Sequence, residues 1–225
     1  MIKMAKYCPI YKEKVVSVDC VECGECKQKK IAWIALDQSY TDTGIAVAIG
    51  KKVVYVSHED FKSLGKDAKK HDKRNQVCRR LNKLINKLKN KYDVRIVIEA
   101  VRLFSGSNPH ISTAYIFGTC ALIGSIVDVC VQNNAPIFWV ETRSWKKGVL
   151  GKSKPSGKKL DGVKDIKKVD SVLYAISCGF EDEISYRVKA GKNKGQIRYN
   201  DNMADAICIA VCGVLQYNLK KIDDF

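Results

Sequence analysis

Acidic side chains are scarce in this sequence. Against 40 Lys and Arg stand only 24 Asp and Glu, which leaves a net charge of +16 at neutral pH over 225 residues. An excess of that size favours a polyanionic partner, nucleic acid before an acidic membrane surface. No basic amphipathic stretch with a Trp/Phe/Leu face speaks for the membrane. Proline is also rare, at four residues, and glycine is scattered, which excludes fibrous classes. No apolar run reaches the roughly 18 residues of a membrane span; the longest, 120–131, is broken by Asp128. The first residues, Met1-Ile-Lys-Met-Ala-Lys, contain no apolar signal core, so the expectation is an intracellular, cytoplasmic protein without a membrane partner. With 46% apolar residues the chain has enough material for a core, which excludes intrinsic disorder. The length suits one domain with a small appendage.

The ten cysteines fall into two sets. Cys78, Cys120, Cys130, Cys178, Cys208 and Cys212 lie singly in apolar segments and read as small buried hydrophobes. Cys8, Cys20, Cys23 and Cys26 crowd the start, where Cys20-Val-Glu-Cys23-Gly-Glu-Cys26 makes two CxxC steps sharing one thiol. Four thiols in a segment too short for its own core point to a metal, Zn²⁺ first. An iron–sulfur cluster or a redox-sensitive arm are the other readings. The expected organisation is a Cys-rich arm over 1–30 and a single domain over 31–225.

From residue 31 onward the pattern is α/β. Apolar strands are predicted at 31–36, 43–49 and 53–57, the last two joined by a tight turn at Gly50-Lys51-Lys52. Residues 67–91 predict a long helix, with Val77, Leu81, Leu84 and Leu88 on one face. A strand over 95–99, apolar without alternation, suits burial on both faces. A helix over 112–133, a strand over 137–140 and a short helix over 144–150 follow. A basic loop then spans 151–162, a helix 163–178, a second basic loop 189–200, and a last helix 203–219. Together these predict a mixed five-stranded sheet flanked by helices.

Three carboxylates fall where carboxylates are costly. Asp37 ends the strand Ile-Ala-Trp-Ile-Ala-Leu, Glu99 ends Arg-Ile-Val-Ile, and Asp205 lies inside the apolar Met-Ala-Asp-Ala-Ile-Cys-Ile-Ala. In open sheets, ligand chemistry gathers at the carboxyl ends of strands. Converging carboxylates do not all ionise at close range without a cation, and hard divalent ions such as Mg²⁺ take oxygen ligands. A pair of such ions serves phosphodiester cleavage.

The segments Leu36-Asp37-Gln38-Ser39-Tyr40-Thr41-Asp42-Thr43-Gly44, Ile98-Glu99-Ala100-Val101 and Ala204-Asp205-Ala206-Ile207-Cys208-Ile209-Ala210, in this order, resemble the RuvC family of Holliday junction resolvases. The resemblance runs from about residue 31 to 213 and includes the strand Ala-Pro-Ile-Phe-Trp-Val and the Lys-rich stretch after Trp145. It implies a ribonuclease H-like fold, a homodimer, and nicking of four-way DNA junctions with two Mg²⁺ (or Mn²⁺) ions per active site. Asp37, Glu99 and Asp205 match three of the family's four metal-binding acids. The fourth usually stands three residues before the last Asp, and here that position is Asn202. Asp201, at i−4 from Asp205, shares its helix face and is the expected fourth ligand, with Asn202 as a neutral alternative.

The basic residues are clustered. Eleven lie within 66–91, ten against three acids within 143–170, and five with no acid within 187–198, a composition that suits phosphate contact. Lys146, Lys147 and Lys164 are candidates for charge stabilisation at the scissile phosphate, with Arg102, Lys158 and Lys159 among the expected DNA contacts. Phe104, in the loop after Glu99, is the candidate wedge for stacking on an unpaired base. Small residues along one side of the helix over 112–133 (Gly118, Ala121, Gly124, Ser125) suit either full burial or a symmetric dimer interface, and the resemblance to the resolvases favours the dimer. A non-cleaving junction-binding module, a nuclease for RNA–DNA hybrids, and a phosphate-binding ATPase with Asp followed by Thr-Gly are the competing readings.

Overall fold

The computed structural model describes residues 29–39, 42–60, 70–100 and 113–222. Cys8, Cys20, Cys23, Cys26, Arg102 and Phe104 lie outside the described residues. Within the unit Ile31–Phe225 the chain forms β1 (Ile31–Asp37), β2 (Asp42–Ile49), β3 (Lys52–Asp60), α1 (Lys70–Leu88), β4 (Asp93–Glu99), α2 (Thr113–Gln132), β5 (Ile137–Val140), α3 (Thr142–Leu150), a 3₁₀ turn (Ile166–Lys168), α4 (Val169–Ser177), α5 (Glu181–Ile184), β6 (Ser185–Arg187), β7 (Ile197–Tyr199), α6 (Asp201–Leu215) and β8 (Lys220–Lys221). One sheet runs in the order β3-β2-β1-β4-β5-β8, with β1, β4 and β5 parallel and β2 antiparallel to β1 and β3.

Side-chain alternation along β1 sorts the core into two layers, because successive residues of a strand point to opposite faces. Trp33 and Ala35, with Ala46, Ala48 and Val97, pack with α3, α4 and α6. Ile34, Leu36, Ile45, Val47, Ile96 and Ile98 pack with α1 and α2. The first face is lined largely by alanines, so a helix settles close to the sheet there. That helix is α6, buried almost throughout from Met203 to Gly213. A Cβ on Gly44 would lie 2.0 Å from the Asn202 carbonyl oxygen, and one on Gly213 would lie 2.9 Å from the Trp33 ring. Glycine at both positions lets the helix backbone rest on β2 at one end and on an indole at the other.

Several expectations are corrected. The sheet has six strands, not five. The last helix ends at Leu215 because Gln216 adopts a left-handed backbone (φ 49°), and the chain turns back to pair Lys220 with Trp139 and Lys221 with Phe138. A two-residue strand of lysines has no apolar pattern to betray it. The helix expected over 163–178 starts late: Asp165 caps the 3₁₀ turn by accepting from the Lys167 N–H, and α4 begins at Val169. The basic loop over 189–200 contains a strand, β7, which pairs antiparallel with β6 as a separate two-stranded ribbon. On α1 the buried face is Val77, Leu81 and Ile85, with Leu84 and Leu88 at its margin. Among the described residues no helix is long and apolar enough to cross a membrane.

Candidate active site

Asp37 and Glu99 meet because their strands are parallel neighbours in register. Leu36 lies opposite Ile98, so the next residue of each strand is a carboxylate at its carboxyl end. Two-residue periodicity then aims both at the α6 face, the face already taken by Ala35 and Val97. Gln38 locks the strand ends together beyond the ladder. Its side-chain amide donates to the Glu99 carbonyl, and its oxygen accepts from the Glu99 N–H at 3.2 Å.

The third carboxylate arrives with α6. Asn200 caps that helix, its side chain accepting from the Met203 N–H at 3.0 Å and donating to Asp42 Oδ2 at 2.8 Å. Asn202 donates to the Asp42 carbonyl at 2.8 Å. These bonds, with the close approach at Gly44, fix the helix start on β2 and bring Asp205 against Asp37. Both side chains are buried, Asp205 at 2% exposure and Asp37 at 7%.

Their electrostatics follow from that placement. Burial pushes the Asp37 pKa well above the usual carboxylate range, and the charges of Asp205 and Glu99 push it further, against the opposing pull of Lys168. Asp201, at the first turn of α6, is raised by partial burial and by Asp205, with Lys168 again opposing. Lys168 bonds Asp205 Oδ2 directly and stands 3.9 Å from Asp37 Oδ2. Burial lowers its pKa, but the charges of Asp205 and Asp37 outweigh burial and hold it above the normal lysine value. Two carboxylate oxygens of this cluster, Asp37 Oδ2 and Asp205 Oδ1, are buried with no hydrogen-bond partner among the described residues. Glu99 is held from the other side: Thr142 donates its hydroxyl to Glu99 Oε1, and the buried Trp145 donates its indole N–H to the same oxygen at 3.3 Å.

The structure therefore sets Asp37 and Asp205 around Lys168, with Glu99 and Asp201 close enough to act on them electrostatically. Asn202 is turned to the backbone of β2. Lys164 is exposed, and no hydrogen bond or ion pair joins it to the acids among the described residues. The lysine at the acids is Lys168, one turn of chain later, which sequence reasoning missed. So were Gln38, Thr142 and Trp145. A lysine directly before the apolar run Val169–Ser177 is a weak signal for Lys168; the other three carry none. Lys146 lies nearby, donating to the Lys167 carbonyl at 3.3 Å, while Lys147, Lys158 and Lys159 are exposed.

Buried, hard oxygen donors that lack a hydrogen-bond partner fit a divalent cation of the Mg²⁺ class in donor chemistry. Among the described residues, however, no three His, Cys, Asp or Glu side chains are gathered closely enough to enclose one. The physical reason is visible: the Lys168 ammonium sits with Asp205 and Asp37, and Glu99 is drawn to Thr142 and Trp145.

A mixed sheet with parallel strands ending in acids, and a buried helix bringing a further acid across them, defines an α/β chain with its candidate site at the carboxyl end of the sheet. Among solved structures it is similar to Thermus thermophilus RuvC in complex with Holliday junction substrate, with TM-score 0.57, 8% identity, and coverage of 85% of this chain and 99% of that one. A second T. thermophilus RuvC structure aligns with TM-score 0.55 at 10% identity over the same shares. At such identity the likeness is one of fold. No protein-family model matches the sequence, and no curated protein matches it.

Proposed function

We propose that this protein is a divalent-metal-dependent endonuclease that cuts branched DNA, four-way junctions first, by hydrolysis of phosphodiesters. The observation that carries this reading is the approach of Asp37, Glu99, Asp205 and Asp201 to one another at the carboxyl end of the sheet, with a buried oxygen of Asp37 and one of Asp205 lacking a hydrogen-bond partner among the described residues. The fold shared with a RuvC solved on a Holliday junction supports the substrate class, as does the net charge of +16. Those four acids would hold Mg²⁺, which supplies an activated water and neutralises charge on the leaving oxygen. The chain's own groups do the rest. Gln38 and Trp145 orient the two sides of Glu99, Lys168 holds Asp205 in place, and Lys146 and Lys147 on α3 meet the phosphates, with Lys158 and Lys159 on the loop beyond. Arg102 and Phe104 are proposed to contact the junction centre.

The test is cleavage of a labelled four-way junction beside a matched linear duplex, with Mg²⁺ and with EDTA. Paired, Mg²⁺-dependent nicks near the crossover are expected. The lysine seated among the acids favours one second reading, a module that holds junctions without cutting. Tight binding without cleavage in either Mg²⁺ or Mn²⁺ would select it.

Symmetric cutting needs two sites, and α2 offers a face for a second copy. Phe117 is 70% exposed and Val131 68%, two turns either side of the exposed Gly124. Phe117→Asp is expected to convert a dimer to a monomer in sedimentation velocity. A wild type that sediments as a monomer at micromolar concentration would refute this interface.

The thiols Cys8, Cys20, Cys23 and Cys26 are proposed to bind one structural Zn²⁺. Elemental analysis of the purified chain is expected to find one zinc per chain, lost in the Cys23→Ser/Cys26→Ser variant. Iron with visible charge-transfer absorption would assign a cluster instead.

A further inference from the structure

The ribbon formed by β6 and β7 meets the core only at its base, where Tyr199 packs against the α6-side layer, and it contributes no side chain to the acid cluster, yet it is firmly built. Beyond its three cross-strand pairs, Val188 N–H donates to the Gln196 carbonyl at 3.0 Å and Gly195 N–H to the Val188 carbonyl at 2.8 Å. Its turn is closed by Lys194 N–H on the Gly191 carbonyl at 3.0 Å. A lone two-stranded hairpin is marginal in water, and this one is held at its base. Ile184, buried at 1% exposure, enters β6, and Asn200 N–H donates to the Ile184 carbonyl at 2.7 Å where β7 leaves. Asn200 is also the cap of α6, so the ribbon and the helix carrying Asp201 and Asp205 share one anchor.

Folding accounts for little of the charge the ribbon displays; of its cations Arg187 donates to the Gly195 carbonyl at 3.4 Å. Arg187, Lys189, Lys192, Lys194 and Arg198 occur within twelve residues without an acid. None of the five has an ion pair among the described residues, whereas Lys152, Lys168, Arg80 and Arg95 each meet a carboxylate. Unrelieved like charges at this density oppose the compact state. On each face of the ribbon an arginine stands opposite a half-exposed apolar side chain. Tyr186, 50% exposed, pairs with Arg198, and Ile197, 48% exposed, pairs with Arg187. Cations beside an exposed ring or aliphatic chain suit a surface that alternates phosphate with sugar and base.

We infer that the β6–β7 ribbon is a DNA-gripping arm that holds the sugar–phosphate backbone of a duplex arm of the substrate, in register with the acids through Asn200. This rests on the reading of the protein as one that acts on branched DNA. It adds a second contact surface beyond the acid cluster and the lysines on α3, next to the loop over 151–162, whose Gly162 backs onto Ile197 and Arg198 of β7.

The experiment is fluorescence anisotropy on the full chain, in EDTA, with a four-way junction and a linear duplex over a series of NaCl concentrations. Lys189→Ala/Lys192→Ala/Lys194→Ala removes exposed charges without touching the ladder. It is expected to weaken both DNAs about tenfold or more at ~0.1 M salt and to flatten the salt slope by about 2–3. The matching triple arginine variant is expected to keep affinity and slope, and no variant to lower the thermal midpoint. Lys192→Glu alone, on the turn, reads the same contact should the triple variant fold poorly, with an expected loss of about three- to tenfold. Wild-type binding that the alanine variant and Lys192→Glu both reproduce, slope included, would overturn the arm while leaving the nuclease reading intact. A wild type that binds neither DNA would overturn both.

Discussion

Asp37→Asn is expected to abolish junction cleavage, by about a thousandfold or more, while junction affinity in EDTA stays near wild type. The substitution keeps the shape of a buried side chain at a strand end and removes only its charge. On the proposed reading the cations that would hold DNA lie elsewhere on the molecule, so binding and cutting are expected to separate. The same change is expected to raise the thermal midpoint of the metal-free protein by a few degrees, on the order of 1 kcal/mol. The reason is that Asp37 sits buried beside Asp205 and Glu99, whose charges oppose its own more than Lys168 relieves it, with one oxygen lacking a hydrogen bond among the described residues. Mg²⁺ is expected to stabilise the wild type by mass action and to leave the Asp37→Asn protein unmoved. Differential scanning fluorimetry beside the cleavage assay reads all of these. Cleavage at the normal rate by Asp37→Asn would show that the site assignment is wrong.

The second large effect is expected at Lys168. Replacing it with Met leaves Asp205 and Asp37 facing each other in the core with no cation between them. Breaking a buried pair from one side costs roughly 3–5 kcal/mol. Because Lys168 keeps 26% of its side chain exposed, about 2–3 kcal/mol is expected, a fall of roughly 5–10 °C for a chain of this size. Adding Asp205→Asn to Lys168→Met should recover much of that loss, since the amide needs no counter-charge. A double-mutant cycle by thermal or urea unfolding measures the coupling. Additive losses would mean that the Lys168–Asp205 bond contributes little and that Lys168 has another task.

Much of this was legible in the sequence because it depends on local pattern. Apolar runs ending in Asp37 and Glu99 can be read as strands with acids at their ends, and the alternation that sends Ala35 to one face also sends Asp37 there. Asp205 stands out because a carboxylate within a run of Ala, Ile and Cys needs a reason. The Thr43-Gly44 pair found its explanation only in space: Gly44 is where the backbone of α6 touches β2, and any side chain there would strike the Asn202 carbonyl. What the sequence hid was hidden for the same kind of reason in each case. The sixth strand is two lysines whose only structural instruction is the edge of β5. The ribbon strand β7 is three residues inside a basic stretch with no period of its own.

Composition and periodicity by themselves determined the class of fold, the basic character, the three principal acids and the helix that carries the last of them. These follow from which residues are apolar and at what spacing, quantities that a linear chain already contains. Tertiary structure alone decided which cation faces those acids. Lys164 and Lys168 differ little as letters in a lysine-rich stretch, but the 3₁₀ turn capped by Asp165 leaves the first in solvent and delivers the second to Asp205. It likewise decided that Gln38, Thr142 and Trp145 hold Glu99. Contacts across 43, 46 and 61 residues of chain arise from packing strands and helices together, and no local pattern encodes them.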